Sequence, residues 1–225
     1  MSETTSRIGA RLGLLAACGV CACTLSGCFI PLLVGGVAEN IKKDTTHSVK
    51  AEYDGLQGKT FAVVCTADRM IQAEHGGLIE TVIKRFHDRL HAAGVGTGHS
   101  DTAELVHYLY NHPDWYARPL PDLAKELGVD MLVFVEITEF GLHDPGNQYL
   151  WNGVAAGTVQ VIDANDTLGG QYAFQRGVRV KFPDKEGFGP ADFTATQVSS
   201  ALLTRFMDRA SWPFYTHEEP WYPEY

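Results

Sequence analysis

The run Met131-Leu132-Val133-Phe134-Val135-Glu136-Ile137-Thr138-Glu139-Phe140 constrains the fold more than any other segment of the chain. Its first half is apolar at every position. Successive side chains on a strand point to opposite faces, so an unbroken apolar run means that both faces are covered. A second short run, Phe61-Ala62-Val63-Val64-Cys65 after Lys59-Thr60, is also apolar and β-prone and reads as a buried strand.

Helical periodicity fills the space between the two runs. Leu78, Ile79, Val82, Ile83, Phe86 and Leu90 form one apolar stripe on a helix over 76–93, and Gly94 stops it. A short strand is expected within 95–99. Asp101 is expected to cap a helix carrying Leu105, Val106, Leu109 and Tyr110, which Pro113 ends. A further helix is predicted from about Pro121 to Gly128. After the central strand, alternation over 156–162 leads to the turn cluster Asp163-Ala164-Asn165-Asp166, and the chain returns along 170–180 as an antiparallel hairpin. A last helix, about 190–209, places Val198, Ala201, Leu202, Arg205 and Phe206 along one side. The order β-α-(β)-α-α-β-β-β-α predicts an α/β fold, an α+β sandwich in which helices pack on a mixed sheet with an antiparallel hairpin. The length of 225 residues suits one domain, or two at most. Apolar residues at 45% and charged residues at 20% exclude disorder and a multi-span membrane protein. Lys plus Arg is 18 against Asp plus Glu 27, a formal charge of −9, so no nucleic-acid partner is expected.

The N-terminus has the pattern of a processing signal. Arg7 and Arg11 form a basic region, Leu12 to Gly27 carries no charge, and Leu25-Ser26-Gly27-Cys28 follows. This resembles the lipobox of bacterial lipoprotein signal peptides, which implies a signal peptide over 1–27 and acylation of Cys28. Burial of acyl chains is worth about 0.8 kcal/mol per methylene, so two or three chains hold a protein firmly to a membrane. The competing reading is an uncleaved membrane anchor, because 12–38 is uncharged throughout; Pro31 and Gly35-Gly36 interrupt its second half. By either reading the body lies outside the cytoplasmic membrane. Phe29 stands where an Asp commonly signals inner-membrane retention in Gram-negative lipoproteins. The lipoprotein resemblance therefore implies an outer-membrane, lipid-anchored protein with its body facing the periplasm or the cell surface. Residues 28–57 read as an acylated tether with a reach of about 30 Å, 58–211 as a single α/β domain, and 212–225 as an aromatic and Pro-rich tail. Of the five cysteines, 18, 21 and 23 fall in the removed peptide, leaving Cys28 and Cys65. Cys65 reads as a small buried hydrophobe.

Three segments carry a further resemblance: Gly58-Lys59-Thr60-Phe61-Ala62-Val63-Val64, Leu127-Gly128-Val129-Asp130-Met131-Leu132-Val133 and Gly157-Thr158-Val159-Gln160-Val161-Ile162-Asp163-Ala164. The pattern is similar to the periplasmic domain family of CsgG, the amino-terminal domain of TolB, and LpoB. It implies that periplasmic fold over about 58–209. The short hairpin loop leaves no room for the pore-forming hairpins of CsgG.

Few residues suggest chemistry. His87 and His91, four apart on one helix, have the spacing of metal ligands but no third ligand at fixed distance, so two exposed histidines is the default and a metal site the alternative. Gly94-x-Gly96-x-Gly98 follows a helix, unlike the dinucleotide fingerprint, and reads as a stop and connector. Glu136 and Glu139 differ by an odd number and are expected on opposite faces of their strand. No nucleophile-elbow, zinc-protease or kinase signature is present. Six aromatics and three prolines crowd the last fourteen residues. Trp212 to Tyr215 are expected to cover the protein's own core, and Trp221 and Tyr222 to face a partner. Trp115-Tyr116 is a second exposed-aromatic candidate. The expectation is a non-enzymatic envelope lipoprotein without cofactor that touches the membrane through Cys28 and binds another envelope protein. The alternative is a metal- or small-ligand-binding lipoprotein.

Overall fold

The computed structural model describes residues 46–98, 102–166 and 172–220. The lipobox with Cys28, Asp101, and Trp221 and Tyr222 of the tail lie outside the described residues. In chain order the strands are β1 (Thr46–Val49), β2 (Thr60–Ala67), β3 (Thr97–Gly98), β4 (Met131–Gly141), β5 (Gly153–Asp163), β6 (Phe174–Phe182) and β7 (His217–Pro220). The helices are α1 (Arg69–Glu74), α2 (Leu78–Ala92), α3 (Thr102–Asn111), α4 (Leu120–Glu126) and α5 (Ala195–Ser211). Short 3₁₀ turns occupy Trp115–Ala117 and Trp212–Phe214.

Five strands form one mixed sheet in the order β3-β2-β4-β5-β6. β2 runs parallel to β3 and β4, and β4, β5 and β6 are successively antiparallel. This is the mixed sheet with an antiparallel hairpin that the sequence predicts. β1 and β7 pair in a separate two-stranded antiparallel sheet.

The central strands are apolar on both sides because both sides are packed. Phe61, Val63 and Cys65 on β2 align with Met131, Val133 and Val135 on β4, and Val159 and Val161 continue the row on β5. This first face lies under α2 and α5. Phe61 packs near the His87 ring of α2, and a Cβ on Gly153 would strike Leu202 and Val198 of α5. The opposite face carries Leu132, Phe134 and Ile162, with α4 and the Trp115 turn against it. Helix α5 starts at a capping box: Thr194 Oγ1 accepts from the Gln197 N–H, and the Gln197 side chain accepts from the Thr194 N–H.

Reciprocal hydrogen bonds fix the start of the two parallel strands. The Thr60 N–H and hydroxyl both donate to Asp130 Oδ2, at 2.9 and 2.8 Å, and the Asp130 N–H donates back to Thr60 Oγ1 at 2.9 Å. Those bonds hold the Asp130 carboxyl below its ordinary range.

The packed body begins before residue 58. Leu56 is fully buried, and the Glu52 and Tyr53 N–H groups both donate to the Pro213 carbonyl. The stretch just before β2, read from sequence as tether, is therefore part of the fold. The segment after α5 covers the core, as expected for Trp212 to Tyr215. Phe214 is fully buried, with ring centroids 5.5, 6.0 and 6.1 Å from Phe174, Phe86 and Tyr53.

Candidate binding cleft

β2 ends at Ala67, and the chain turns at once into α1. Asp68 caps that helix by accepting from the Met70 N–H at 2.8 Å, while the Gln72 amide donates back to the Ala67 carbonyl. Gly77 then starts α2 in a left-handed conformation. These tight turns leave an opening of about 740 Å³ at the carboxyl end of β2. Clefts in α/β sheets commonly lie at this end of the strands, where loops diverge. Gln72, His75, Ile79 and Glu80 form one wall, and Tyr110, Trp115 and Tyr116 the other.

The aromatic wall is held by its neighbours. Arg118 pairs with Asp114 at 2.9 Å and with Glu126 at 3.0 Å, bridging the Trp115 turn to α4. The Arg118 hydrogen bond draws the Asp114 carboxyl below its usual range. Trp115, expected as an exposed aromatic, is only 7% exposed and packs edge-on to Phe134 at 6.1 Å. Its indole fills the gap between the 3₁₀ turn and the sheet, a tertiary contact that local sequence does not reveal. Tyr116, at 62%, and Tyr110, at 83%, are the exposed rings on the rim. The helix periodicity places Tyr110 only within a stripe; its position after Leu109, off the buried side, is the sequence signal for its exposure.

Cys65 reaches the cleft from below. Burial pushes its thiol well above the ordinary value, which keeps it protonated and unreactive. His87 and His91 lie away from the cleft. His91 is exposed, but the His87 side chain is 16% exposed, and its ring occupies the space that a Cβ on Gly98 would need. The two imidazoles lie nearly parallel, with centroids 6.2 Å apart. Among the described residues no group of three or more His, Cys, Asp or Glu could hold a metal ion. The glycine triplet is structural: Gly96 has a positive φ and sits against the Leu56 and Lys59 carbonyls, and Gly98 makes room for His87.

The expected opposition of Glu136 and Glu139 does not hold. The β4–β5 register shifts between Ile137 and Glu139, so Glu136 opposes Thr158 and Glu139 opposes Ala156. Those β5 residues are two apart and share a face, so the bulge brings both carboxylates to the same side of the sheet. Glu139 pairs there with Arg179 of β6.

No protein-family model matches the chain, and no curated protein matches it. It is similar to the solved PelC dodecamer from Paraburkholderia phytofirmans, with 11% identity over 74% of this chain and 94% of that chain and a TM-score of 0.44. It is similar to the lipoprotein GNA1162 from Neisseria meningitidis, with 12% identity over 64% of this chain and 93% of that chain and a TM-score of 0.43. Protein XCC0632 from Xanthomonas campestris, of the DUF330 family, shares 11% identity over 74% of this chain and 85% of its own, with a TM-score of 0.40.

Proposed function

We propose that this protein is an envelope lipoprotein, acylated at Cys28, whose body is a non-enzymatic module that binds another envelope protein through the cleft at the end of β2. The observation that carries the anchoring is Leu25-Ser26-Gly27-Cys28 after a basic and then uncharged leader. No helix among the described residues is long and apolar enough to cross a membrane. The sequence resemblance to the CsgG, TolB amino-terminal and LpoB periplasmic domains, and Phe29 after the cysteine, favour an outer-membrane site with the body facing the periplasm. Support for binding rather than catalysis comes from the cleft walls. The exposed Tyr110 and Tyr116 rings present large, rigid contact surface with a polar tip, the side-chain type enriched at interfaces. The cleft's thiol is held protonated.

Palmitate labelling of cells carrying the full chain tests the anchor. Wild type should be labelled and sediment with outer membranes, whereas Cys28→Ala should be unlabelled and released; label retained in Cys28→Ala would overturn the assignment. Crosslinking in intact cells tests the cleft. Tyr116→Ala should lose a specific envelope-protein adduct while its unfolding free energy stays within about 0.5 kcal/mol of wild type. An adduct equally strong in Tyr116→Ala places the interaction elsewhere on the body.

A further inference from the structure

The cleft wall that faces the aromatic rings is built from two unlike pieces. Leu78, Ile79 and Ile83 come from α2, which also buries Val82, Phe86 and Leu90 in the core. Asp68, Arg69, Gln72 and His75 come from α1 and its flanks. Helix α1 has six residues, about half the shortest length at which an isolated helix persists in water. Ile71 is its one buried residue; the other five are exposed, Met70 at 68%. We propose that α1 is a hinged lid on the cleft, latched by Ile71 and His75, and that its opening admits what the cleft binds.

The hydrogen bonds of α1 run mainly to its own root. Asp68 Oδ1 accepts from the Met70 N–H, the Gln72 N–H donates to the Asp68 carbonyl, and the Gln72 side-chain amide donates to the Ala67 carbonyl. Bonds of this kind survive a swing about the end of β2. The ties to the rest of the body are apolar. Ile71, 8% exposed, joins the core, and the His75 ring stands edge-on to Phe140 of β4 with centroids 4.7 Å apart.

The far joint is Gly76-Gly77. Gly77 has a φ of +80°, and no side chain caps the start of α2 there. A Cβ on either glycine would meet nothing within 4 Å, so neither is required by close packing. The backbone link across the joint is the bond from the Leu78 N–H to the His75 carbonyl, at 3.1 Å. Glycines absorb changes of φ and ψ that other residues resist. A segment with one buried side chain and solvent-exposed backbone bonds opens more readily than the core does. The motion depends only on α1 and its joints; its role in partner entry rests on the reading of the cleft as a docking site.

Hydrogen exchange of the full chain in detergent, followed by mass spectrometry across low urea, tests the lid. Amides 70–77 should exchange at least about a hundredfold faster than those of 82–90, at a rate that low urea leaves unchanged, because a local opening exposes little new surface. Ile71→Ala should raise that local rate at least about tenfold. Gly76→Ala, at a position whose φ is not left-handed, should slow it about two- to fivefold by stiffening the joint. Labelling of Cys65 by N-ethylmaleimide, read on its own peptide, reports access to the cleft and should rise and fall with the local rate in the two variants. Exchange of 70–77 with the same urea slope as α2 overturns the lid. Cys65 labelling that does not follow the local rate overturns its role as a gate. A crosslinked adduct unchanged in Tyr116→Ala, with exchange and labelling as expected, would overturn the docking reading and retain the lid.

Discussion

Two residues show how single contacts set the geometry of the central strands. Asp130 locks the start of β4 to Thr60 of β2, and its carboxyl sits below the ordinary range because the Thr60 N–H and hydroxyl favour its charged form. A depressed folded value means that this contribution is present above the unfolded-chain value of about 3.9. It is lost as pH falls from there through the folded value. Melting curves should therefore show Asp130→Asn less stable than wild type at neutral pH, with the gap closing in acid; a gap independent of pH would contradict this. Gly157 opposes Ile137 beside the bulge, and a Cβ there would lie 2.2 Å from the Glu136 carbonyl oxygen. Backbone cannot yield as a flexible side chain does. Gly157→Ala should cost about 1–3 kcal/mol or more in urea denaturation, and an unchanged midpoint would mean that the bulge relaxes freely.

At the scale of elements, the short segment after α5 behaves as core although it has little regular structure. Pro213 supplies the carbonyl that accepts from Glu52 and Tyr53, and Phe214 plugs the space among Tyr53, Phe86 and Phe174. Phe214→Ala should lower the unfolding free energy by about 3–5 kcal/mol, measured by chemical denaturation. A loss below 1 kcal/mol would show that the neighbouring rings collapse into the gap. The bulge in β4 acts at the same scale. One unpaired residue, Thr138, lets Ile137 and Phe140 both stay buried on the first face while Glu136 and Glu139 share the second.

For the whole molecule, the described residues between 48 and 218 form one compact unit. One sheet supplies the floor for helices on both faces, and ion pairs such as Arg89–Asp208, at 2.6 Å, join α2 to α5 far apart in sequence. Unfolding followed by tryptophan fluorescence, to which Trp115, Trp151 and Trp212 of the described body all contribute, should coincide with loss of far-ultraviolet ellipticity. Separate transitions would mean that part of this body opens independently. The strands β2, β4, β5 and β6, and helices α2 to α5, were legible in the sequence because apolar periodicity and turn residues are local signals. The six-residue helix α1 and the strands β1 and β7 carry too little period to be read that way. The same limit applies to the site. Sequence alone determined the layered α/β architecture, the glycine stop after α2, and the presence of exposed-type aromatics near residue 115. Only tertiary structure decided that Trp115 turns inward while Tyr116 turns out, that Leu56 and Phe214 belong to the core, and that a register shift puts two glutamates on one face, because each depends on which distant backbone lies opposite, and no local pattern encodes that.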